Sequence, residues 1–202
     1  GELKNNEIIY KAINACIAFV PTLAGKQLIL VEDLVSKDGS LHPVQEAMVN
    51  HHGSQCGFCT PGFVMSLFAM YKNYSSYKDN NIKDSIAGNL CRCTGYRPII
   101  DSAKSLNKAK KIDHFKKTKQ ISIALLKKIK SKSFTIFSKN KKYFAPQSVV
   151  ELKKILKQNP NSKLLSGGTD LSLIVTKERK DLDCIINMNS IDELNYIKKK
   201  KI

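Results

Sequence analysis

The sequence predicts an α+β chain with more than one domain, and three observations lead to this prediction. Two cysteine pairs lie in a segment whose apolar residues recur at helical spacing. A lysine-rich stretch with few acidic residues follows that segment. From Phe144 onward, helical patterns alternate with short β-like runs. The chain is therefore expected to contain a small all-helical bundle, a basic linker and the N-terminal part of an α+β domain.

The segment before the cysteine pairs has β character. β-like runs occupy residues 7–10 and 27–31, and turn signals stand at Pro21 and Gly25. These residues are interpreted as the tail of a preceding β domain.

Four helices are predicted around the cysteine pairs. Proline at the first helical position marks helices starting at Pro43, at Pro61 with Thr60 as N-cap, and at Pro98. A shorter helix covers residues 82–87 and ends at a glycine. The helix from Thr60 is apolar around most of its circumference, so it is expected to be buried. Cys59 then lies at its N-terminus, where exposed N–H groups favour a thiolate.

The two cysteine pairs suggest a four-thiolate site. Cys56 and Cys59 form a C-x-x-C motif, and Cys91 and Cys93 form a C-x-C motif. Disulfides are disfavoured because dense disulfide frameworks belong to short secreted chains. The C-x-C pair is tighter than the pairs of an ordinary zinc ribbon. The spacing therefore favours an iron-sulfur cluster and leaves a tetrahedral zinc ion as the alternative.

The positive charge is concentrated in lysines. The 202 residues carry a formal net charge of +17, with a pI near 9.6 and only three arginines. Nucleic-acid binders favour arginine for bidentate contacts and aromatic residues for stacking, and neither is interleaved with these lysines. The lysine-rich stretch is therefore interpreted as a solvated linker, and no nucleic-acid partner is expected. No apolar run reaches membrane-spanning length, so no membrane association is expected either.

The last third of the chain reads as helix, strand, helix, strand. Ser148 and Glu151 form a capping-box pattern before a helix that ends near Asn159. A strand at residues 163–166 runs into a Gly-Gly turn, a second helix and a strand at residues 184–188. A strand, paired glycines and a helix start can bind a pyrophosphate, but an isolated Gly-Gly turn is more often ordinary turn chemistry.

The residues in and around the cysteine motifs resemble those of a known family. Residues 41–46 (LHPVQE), 53–62 (GSQCGFCTPG) and 88–98 (GNLCRCTGYRP) closely resemble the helical [2Fe-2S] domain of the molybdenum hydroxylases. Residues 14–17 and 21–23 look most like the small subunit of bacterial xanthine dehydrogenase. The resemblance implies that Cys56, Cys59, Cys91 and Cys93 bind a [2Fe-2S] cluster.

The same resemblance implies further cofactor contacts. Gln55 and Cys93 match residues beside the pterin of the molybdenum cofactor. Cys16 matches the fourth ligand of a second [2Fe-2S] cluster whose other ligands would precede Gly1, so in this chain a small buried cysteine is the simpler expectation. The segment that matches the FAD-pyrophosphate loop comprises Leu164, Leu165, Ser166, Gly167, Gly168, Thr169, Asp170 and Leu171.

These matches imply a domain order and a function. Residues 1–26 would be the remnant of a ferredoxin-like domain, 27–106 the helical [2Fe-2S] domain, 107–136 the linker and 137–202 the start of the FAD-binding domain. The family passes electrons from a molybdopterin centre through [2Fe-2S] clusters to FAD and NAD. The chain would be a fragment of the electron-transfer subunit of such an oxidoreductase, with a molybdopterin-binding large subunit as partner in a cytoplasmic hetero-oligomer.

The chain alone is expected to have no turnover and to bind FAD poorly, and it supplies no catalytic residue. Two alternatives remain at this point. One is a relative that oxidises aldehydes or carbon monoxide, and the other is a zinc-stabilised basic module that binds nucleic acid.

Overall fold

The computed structural model of the chain describes residues 1–107, 113–129 and 132–197. The chain divides into two compact units. Unit 1 consists of Gly1–Ala12 and Gly25–Ile129, and unit 2 of Ile13–Ala24 and Lys130–Ile202. The mixed α+β character predicted from the sequence is confirmed, whereas the domain boundaries at residues 26, 106 and 136 stay predictions.

Unit 1 is mostly helical and also contains a small β hairpin. Its elements are β1 (Glu2–Lys4), β2 (Glu7–Ile9), α1 (Pro43–Asn50), α2 (Thr60–Asn73), α3 (Asp79–Ile86), α4 (Arg97–Ser105), α5 (His114–Lys117) and α6 (Lys119–Lys128). Helix α2 is buried along most of its length, including Phe63, Leu67 and Met70. It packs against α1 and α3, as its apolar circumference predicts.

The predicted run at residues 27–31 is not a strand. A 3-10 turn at Val31–Leu34 follows it, and the only strands that pair in this unit's described residues are β1 and β2. Leu28 and Leu30 are more than half exposed. A short run without a neighbouring edge to hydrogen-bond cannot persist as a strand, which explains the difference.

The residues predicted as a linker contribute to the core of unit 1. Helices α5 and α6 lie within them, and both contact the rest of the unit through buried Phe115, Ile123 and Leu126. The lysines of α5 and α6 lie mostly at exposed positions around those apolar residues, so lysine content alone does not reveal the amphipathic pattern.

Unit 2 is built on a four-stranded sheet with the order β3-β4-β6-β5. Its elements are β3 (Phe134–Ser138), β4 (Lys141–Ala145), α7 (Val149–Gln158), β5 (Lys163–Leu165), α8 (Thr169–Thr176) and β6 (Cys184–Asn187). Strands β4, β5 and β6 are parallel, and β3 pairs antiparallel with β4. The carboxyl ends of the three parallel strands therefore lie at one edge of the sheet.

The β3-β4 hairpin begins before Phe144, where the sequence pattern first indicated order. Strand β3 is an edge strand with mostly exposed residues, and lysines surround the hairpin turn. Charged residues are usual on exposed edges because they discourage pairing with other chains. They also resemble linker composition, which is why the hairpin was not predicted.

Residues 13–24 belong to unit 2. They form 3-10 helices at Ala15–Ile17 and Val20–Leu23. Between these helices, Phe19 packs on the core cluster that contains Tyr143, Leu165 and Ile185. The prediction that Cys16 is buried is wrong, because its side chain is exposed. Across the described parts of the chain, no helix has both the length and the apolar character needed to cross a bilayer.

Candidate iron-sulfur site and flavin loop

Two loops of unit 1 bring the four motif cysteines together. Cys56 and Cys59 lie between α1 and α2, and Cys91 and Cys93 lie between α3 and α4. The sulfur atoms of Cys56 and Cys93 are 3.5 Å apart, and the Cys59 thiol is within hydrogen-bonding distance of Cys91. The first pair is exposed and the second is half-buried. The four thiols therefore form two facing pairs, each with one member from each loop.

The first loop is shaped by the start of α2. Thr60 is the first helical residue and Cys59 takes the N-cap position, one residue earlier than predicted. Gly57 has φ +84°, a left-handed conformation that a glycine adopts without strain, and it allows the chain to turn between the two cysteines. The Ser54 and Thr60 hydroxyls are 2.7 Å apart and close this loop.

The second loop is held by Tyr96. Its hydroxyl accepts a hydrogen bond from the Cys91 N–H at 3.0 Å, and its own N–H donates to the Thr94 hydroxyl at 3.2 Å. Gly95 and Tyr96 have φ of 65° and 67°. The Tyr96 ring also packs edge-on against Phe63 of α2. Two consecutive left-handed residues, fixed by side-chain contacts, therefore place the C-x-C pair against α2.

The two loops touch at Gly62. A Cβ atom at this position would lie 2.6 Å from the Asn89 Oδ1 atom. The Asn89 amide also donates to the buried Ser66 hydroxyl on α2 at 2.7 Å. A Cβ at position 62 would therefore force the Asn89 side chain to move and would disturb its hydrogen bond to Ser66.

We therefore expect Gly62→Ala to displace Asn89 and to destabilise unit 1 by about 1–3 kcal/mol, because the close contact cannot relax without breaking its hydrogen bond. Urea denaturation followed by circular dichroism measures this change. Gly88→Ala is the matched control, since a Cβ there meets no atom within 4 Å. Equal midpoints for both variants would contradict the proposed contact.

Hydrogen-bond donors surround the sulfur atoms unevenly. The Thr94 hydroxyl and N–H lie 3.1 Å and 3.4 Å from the Cys91 sulfur and lower the pKa of this thiol to about 7. The Phe58 N–H, and then the contact with Cys93, lower the pKa of Cys56. Burial, followed by the contact with Cys91, raises the pKa of Cys59. Cys91 and Cys56 are thus the thiols best prepared to bind a metal as thiolates.

The paired arrangement fits the donor set of a binuclear cluster. A [2Fe-2S] cluster has two irons, and each needs two terminal thiolates. Cys56 with Cys93, and Cys59 with Cys91, provide this donor set.

The surface next to the exposed thiols is apolar. Phe58 is 96% exposed and Leu90 is 84% exposed. Gln55 and Arg92 are also exposed there. The contact of Gln55 with molybdopterin stays a prediction. Helix α1 ends at Asn50 with His51 as its C-cap, and His52 follows with φ 54°.

The predicted flavin loop (residues 164–171) spans the end of β5 and the start of α8. Gly168 is the N-cap residue of α8 with φ +82°, and no side chain caps this helix. A Cβ at Gly167 would meet no atom within 4 Å, so this side of the turn is open. An open glycine turn and an uncapped helix start at the carboxyl end of a parallel strand fit a pyrophosphate group.

Sequence reasoning missed a buried charged cluster in unit 1. His42 caps α1: its Nδ1 accepts the Val44 N–H at 3.2 Å, so its Nε2 carries the proton and donates to the Asp113 carboxylate at 3.0 Å. Lys72 donates to both carboxylate oxygens at 2.9 Å. The side chains of His42 and Asp113 are 0% and 3% exposed. These residues are 30 to 71 positions apart in sequence, so only the helix-start pattern at His42 could have hinted at the cluster.

Two family models match the chain. The [2Fe-2S] binding domain matches residues 30–104, and the FAD binding domain in molybdopterin dehydrogenase matches residues 133–202. The first match includes all four motif cysteines, and the second includes the flavin loop.

Similar proteins include xanthine dehydrogenases and aldehyde oxidases. Xanthine dehydrogenase of Oryza sativa subsp. japonica is 51% identical over 98 residues, which cover 48% of this chain and 7% of that protein. Xanthine dehydrogenase of Blastobotrys adeninivorans is 50% identical over 105 residues, covering 52% and 7%. Aldehyde oxidase 1 of Oryctolagus cuniculus is 45% identical over 102 residues, covering 50% and 8%.

A solved structure of quinoline 2-oxidoreductase from Pseudomonas putida 86 is 34% identical to this chain. The match covers 40% of this chain and 50% of that chain, with a TM-score of 0.37. The chain spans less than a tenth of the curated relatives named above. The chain is thus similar to a [2Fe-2S] binding domain over residues 30–104 and to the FAD binding domain in molybdopterin dehydrogenase over residues 133–202. The relatives named above are xanthine dehydrogenases and an aldehyde oxidase, and they do not single out a bacterial small subunit.

Proposed function

We propose that this chain is the electron-transfer part of a molybdenum hydroxylase similar to the bacterial xanthine dehydrogenase small subunit. It would relay electrons from a molybdopterin centre, through [2Fe-2S] clusters, to FAD and NAD. The observation that carries the proposal is the pairing of four thiols, Cys56 with Cys93 and Cys59 with Cys91, at the meeting point of two loops. A cluster bound there supplies the one-electron redox chemistry.

The residues around the thiols would place the cluster and set its potential. Cys59 and Cys91 hold the half-buried side, where Thr94 directs two donors at one sulfur. Cys56 and Cys93 form the exposed side, beside Phe58 and Leu90. An exposed thiolate pair next to an apolar surface suits electron entry from a docked partner, since partner contact excludes water from the path.

The partner would be a molybdopterin-binding large subunit in a cytoplasmic hetero-oligomer. Gln55 lies on the loop before α2 and Cys93 on the loop between α3 and α4. Both are exposed and would face the pterin. Electrons would leave the chain through unit 2. Cys16, the candidate ligand of the second cluster, lies there in a 3-10 helix that packs on α8. The flavin loop lies at the start of α8.

The first experiment is metal analysis of anaerobically prepared protein. Iron and acid-labile sulfide in the ratio of one [2Fe-2S] cluster per chain are expected, with an electron paramagnetic resonance signal that appears only after dithionite reduction. Zinc without sulfide, after anaerobic reconstitution, would overturn the electron-relay proposal and favour the basic zinc module.

Replacing Thr94 by valine is expected to lower the reduction potential of this cluster. The substitution removes the hydroxyl that bonds the Cys91 sulfur, and one such bond worth about 1 kcal/mol corresponds to about 40 mV in a one-electron couple. Redox titration followed by paramagnetic resonance measures the shift. Thr94→Ser keeps the hydroxyl and should retain the wild-type potential, and a shift of equal size in both variants would contradict this role.

The substrate of the parent complex could belong to either relative class, because both xanthine dehydrogenases and aldehyde oxidases match the same half of the chain. We propose a purine or similar heterocycle as substrate. Assays of the complete complex with xanthine, with aldehydes and with carbon monoxide separate these readings, and turnover of an aldehyde alone would overturn this substrate assignment.

A further inference from the structure

We propose that residues Ile17 to Phe19, here called the N-terminal brace, position the flavin loop for its pyrophosphate ligand. The brace lies in unit 2 and contacts the first turn of α8. The inference rests on the proposed FAD-binding function and assigns Phe19 and Ser172, which lie outside the loop motif, as positioning residues.

The first contact is a hydrogen bond from α8 to the brace. The Ser172 hydroxyl donates to the Ile17 carbonyl oxygen at 2.6 Å across 155 residues of sequence. Ser172 is 2% exposed, and its own N–H donates to the Gly168 carbonyl at 2.9 Å. Ser172 therefore links the brace to the residue at which the glycine turn becomes helix.

The second contact is the Phe19 ring. A Cβ at Gly168 would lie 2.9 Å from the Leu165 Cδ1 atom and 4.0 Å from the Phe19 Cδ2 atom. The inner side of the turn is thus closed by Leu165 and backed by Phe19, whereas a Cβ at Gly167 would meet nothing within 4 Å. The brace supports the packed side of the turn and leaves the other side free for a ligand.

The brace is itself held in place. Phe19 packs on the unit 2 core beside Tyr143 and Leu165. Its carbonyl accepts hydrogen bonds from the Thr22 hydroxyl at 2.6 Å and from the Thr22 N–H at 2.9 Å. Amide donors bind phosphate only over a narrow range of distance and angle, so a turn held from behind binds with less loss of conformational freedom.

The test uses the full 202-residue chain with ADP as the probe, because ADP carries the adenosine and pyrophosphate of FAD. Amide chemical-shift changes at Gly167, Gly168 and Thr169 report binding in NMR titrations. Phe19→Ala and Ser172→Ala are expected to weaken ADP binding about tenfold, and Phe19→Leu and Ser172→Thr should restore part of it. Thr176→Ala is the matched control, because it removes a hydroxyl of α8 that donates within the helix, to the Ser172 carbonyl, rather than to the brace.

Hydrogen exchange separates positioning from general destabilisation. In Ser172→Ala, amides of the flavin loop should exchange faster while those of β4 and β6 keep their protection, and this result decides the matter even if Phe19→Ala fails to fold. Wild-type affinity in Ser172→Ala with unchanged loop exchange would overturn the brace and leave the FAD proposal standing. Because the chain alone is expected to bind FAD poorly, the titration extends to millimolar ADP, where even weak binding shifts these amides. Absence of any shift at that concentration in the wild-type chain would overturn both.

Discussion

Replacing Cys91 by alanine is expected to abolish the [2Fe-2S] cluster. The Cys91 sulfur pairs with the Cys59 thiol, and it also accepts hydrogen bonds from the Thr94 hydroxyl and N–H. Loss of one terminal thiolate leaves an iron without its fourth ligand in a half-buried position. Iron and sulfide contents close to zero, and loss of the visible absorption and of the paramagnetic signal, are the expected results after anaerobic reconstitution.

Cys184→Ala is the control for this loss. Cys184 is also a free, half-buried cysteine, but it lies in β6 of unit 2. Its variant should reconstitute like the wild type. Full cluster content in Cys91→Ala would show that the four-thiolate assignment is incorrect, and equal losses in both variants would indicate a general effect of removing a thiol.

Replacing Asp113 by alanine is expected to lower the free energy of unfolding of unit 1 by about 3–5 kcal/mol. The substitution removes the acceptor of both His42 and Lys72 and leaves an ammonium group 13% exposed beside the rings of Tyr10 and Phe115. It also removes the cap of α5, where the carboxylate accepts the Lys116 N–H at 2.7 Å. Urea denaturation of the cluster-containing protein measures the change.

An exposed ion pair provides the matched control. Asp79 bonds Lys104 at 2.9 Å, and both side chains are well exposed. Asp79→Ala should therefore cost less than about 1 kcal/mol. A similar small cost for Asp113→Ala would mean that the buried cluster does not hold α5 and α6 on unit 1.

The same carboxylate makes the free energy of unfolding of unit 1 depend on pH in the acidic range. Burial alone would raise the pKa of Asp113, but hydrogen bonds from His42 and Lys72 outweigh this effect and hold the pKa well below its usual range. In the unfolded chain an aspartate has a pKa of about 3.9, so Asp113 stabilises the fold fully above that pH. The stabilisation is lost as pH falls through the lower pKa of the folded state. Asp113→Asn should show a smaller loss of stability between about pH 5 and pH 2 than the wild type.

Helices α1 to α4 of unit 1 could be predicted because each carries a local signal. Proline near the first helical residue marks α1, α2 and α4, and glycine follows α3. The cysteine spacing likewise indicated one site before any contact was known. Local sequence could not show which thiol pairs with which, since Cys56 and Cys93 are 37 residues apart and lie on different loops.

The elements that were missed depend on distant partners. Helix α5 is fixed by Asp113, whose partners His42 and Lys72 come 71 and 41 residues earlier. Residues 13–24 join unit 2 through Ser172, which is 155 residues from Ile17. Composition could not show either set of contacts, because a lysine-rich helix with one buried stripe has the composition of a linker, and the brace has no periodic pattern.

The unequal exposure of the two thiol pairs has a consequence for maturation of the protein. Cys56 and Cys93 are open to solvent in the folded chain, whereas Cys59 and Cys91 are half-buried behind them. A scaffold that delivers a preassembled cluster by thiol exchange would meet the outer pair first, and Cys59 and Cys91 would complete the transfer. Alkylating reagents would likewise react first with Cys56 and Cys93 in the cluster-free chain.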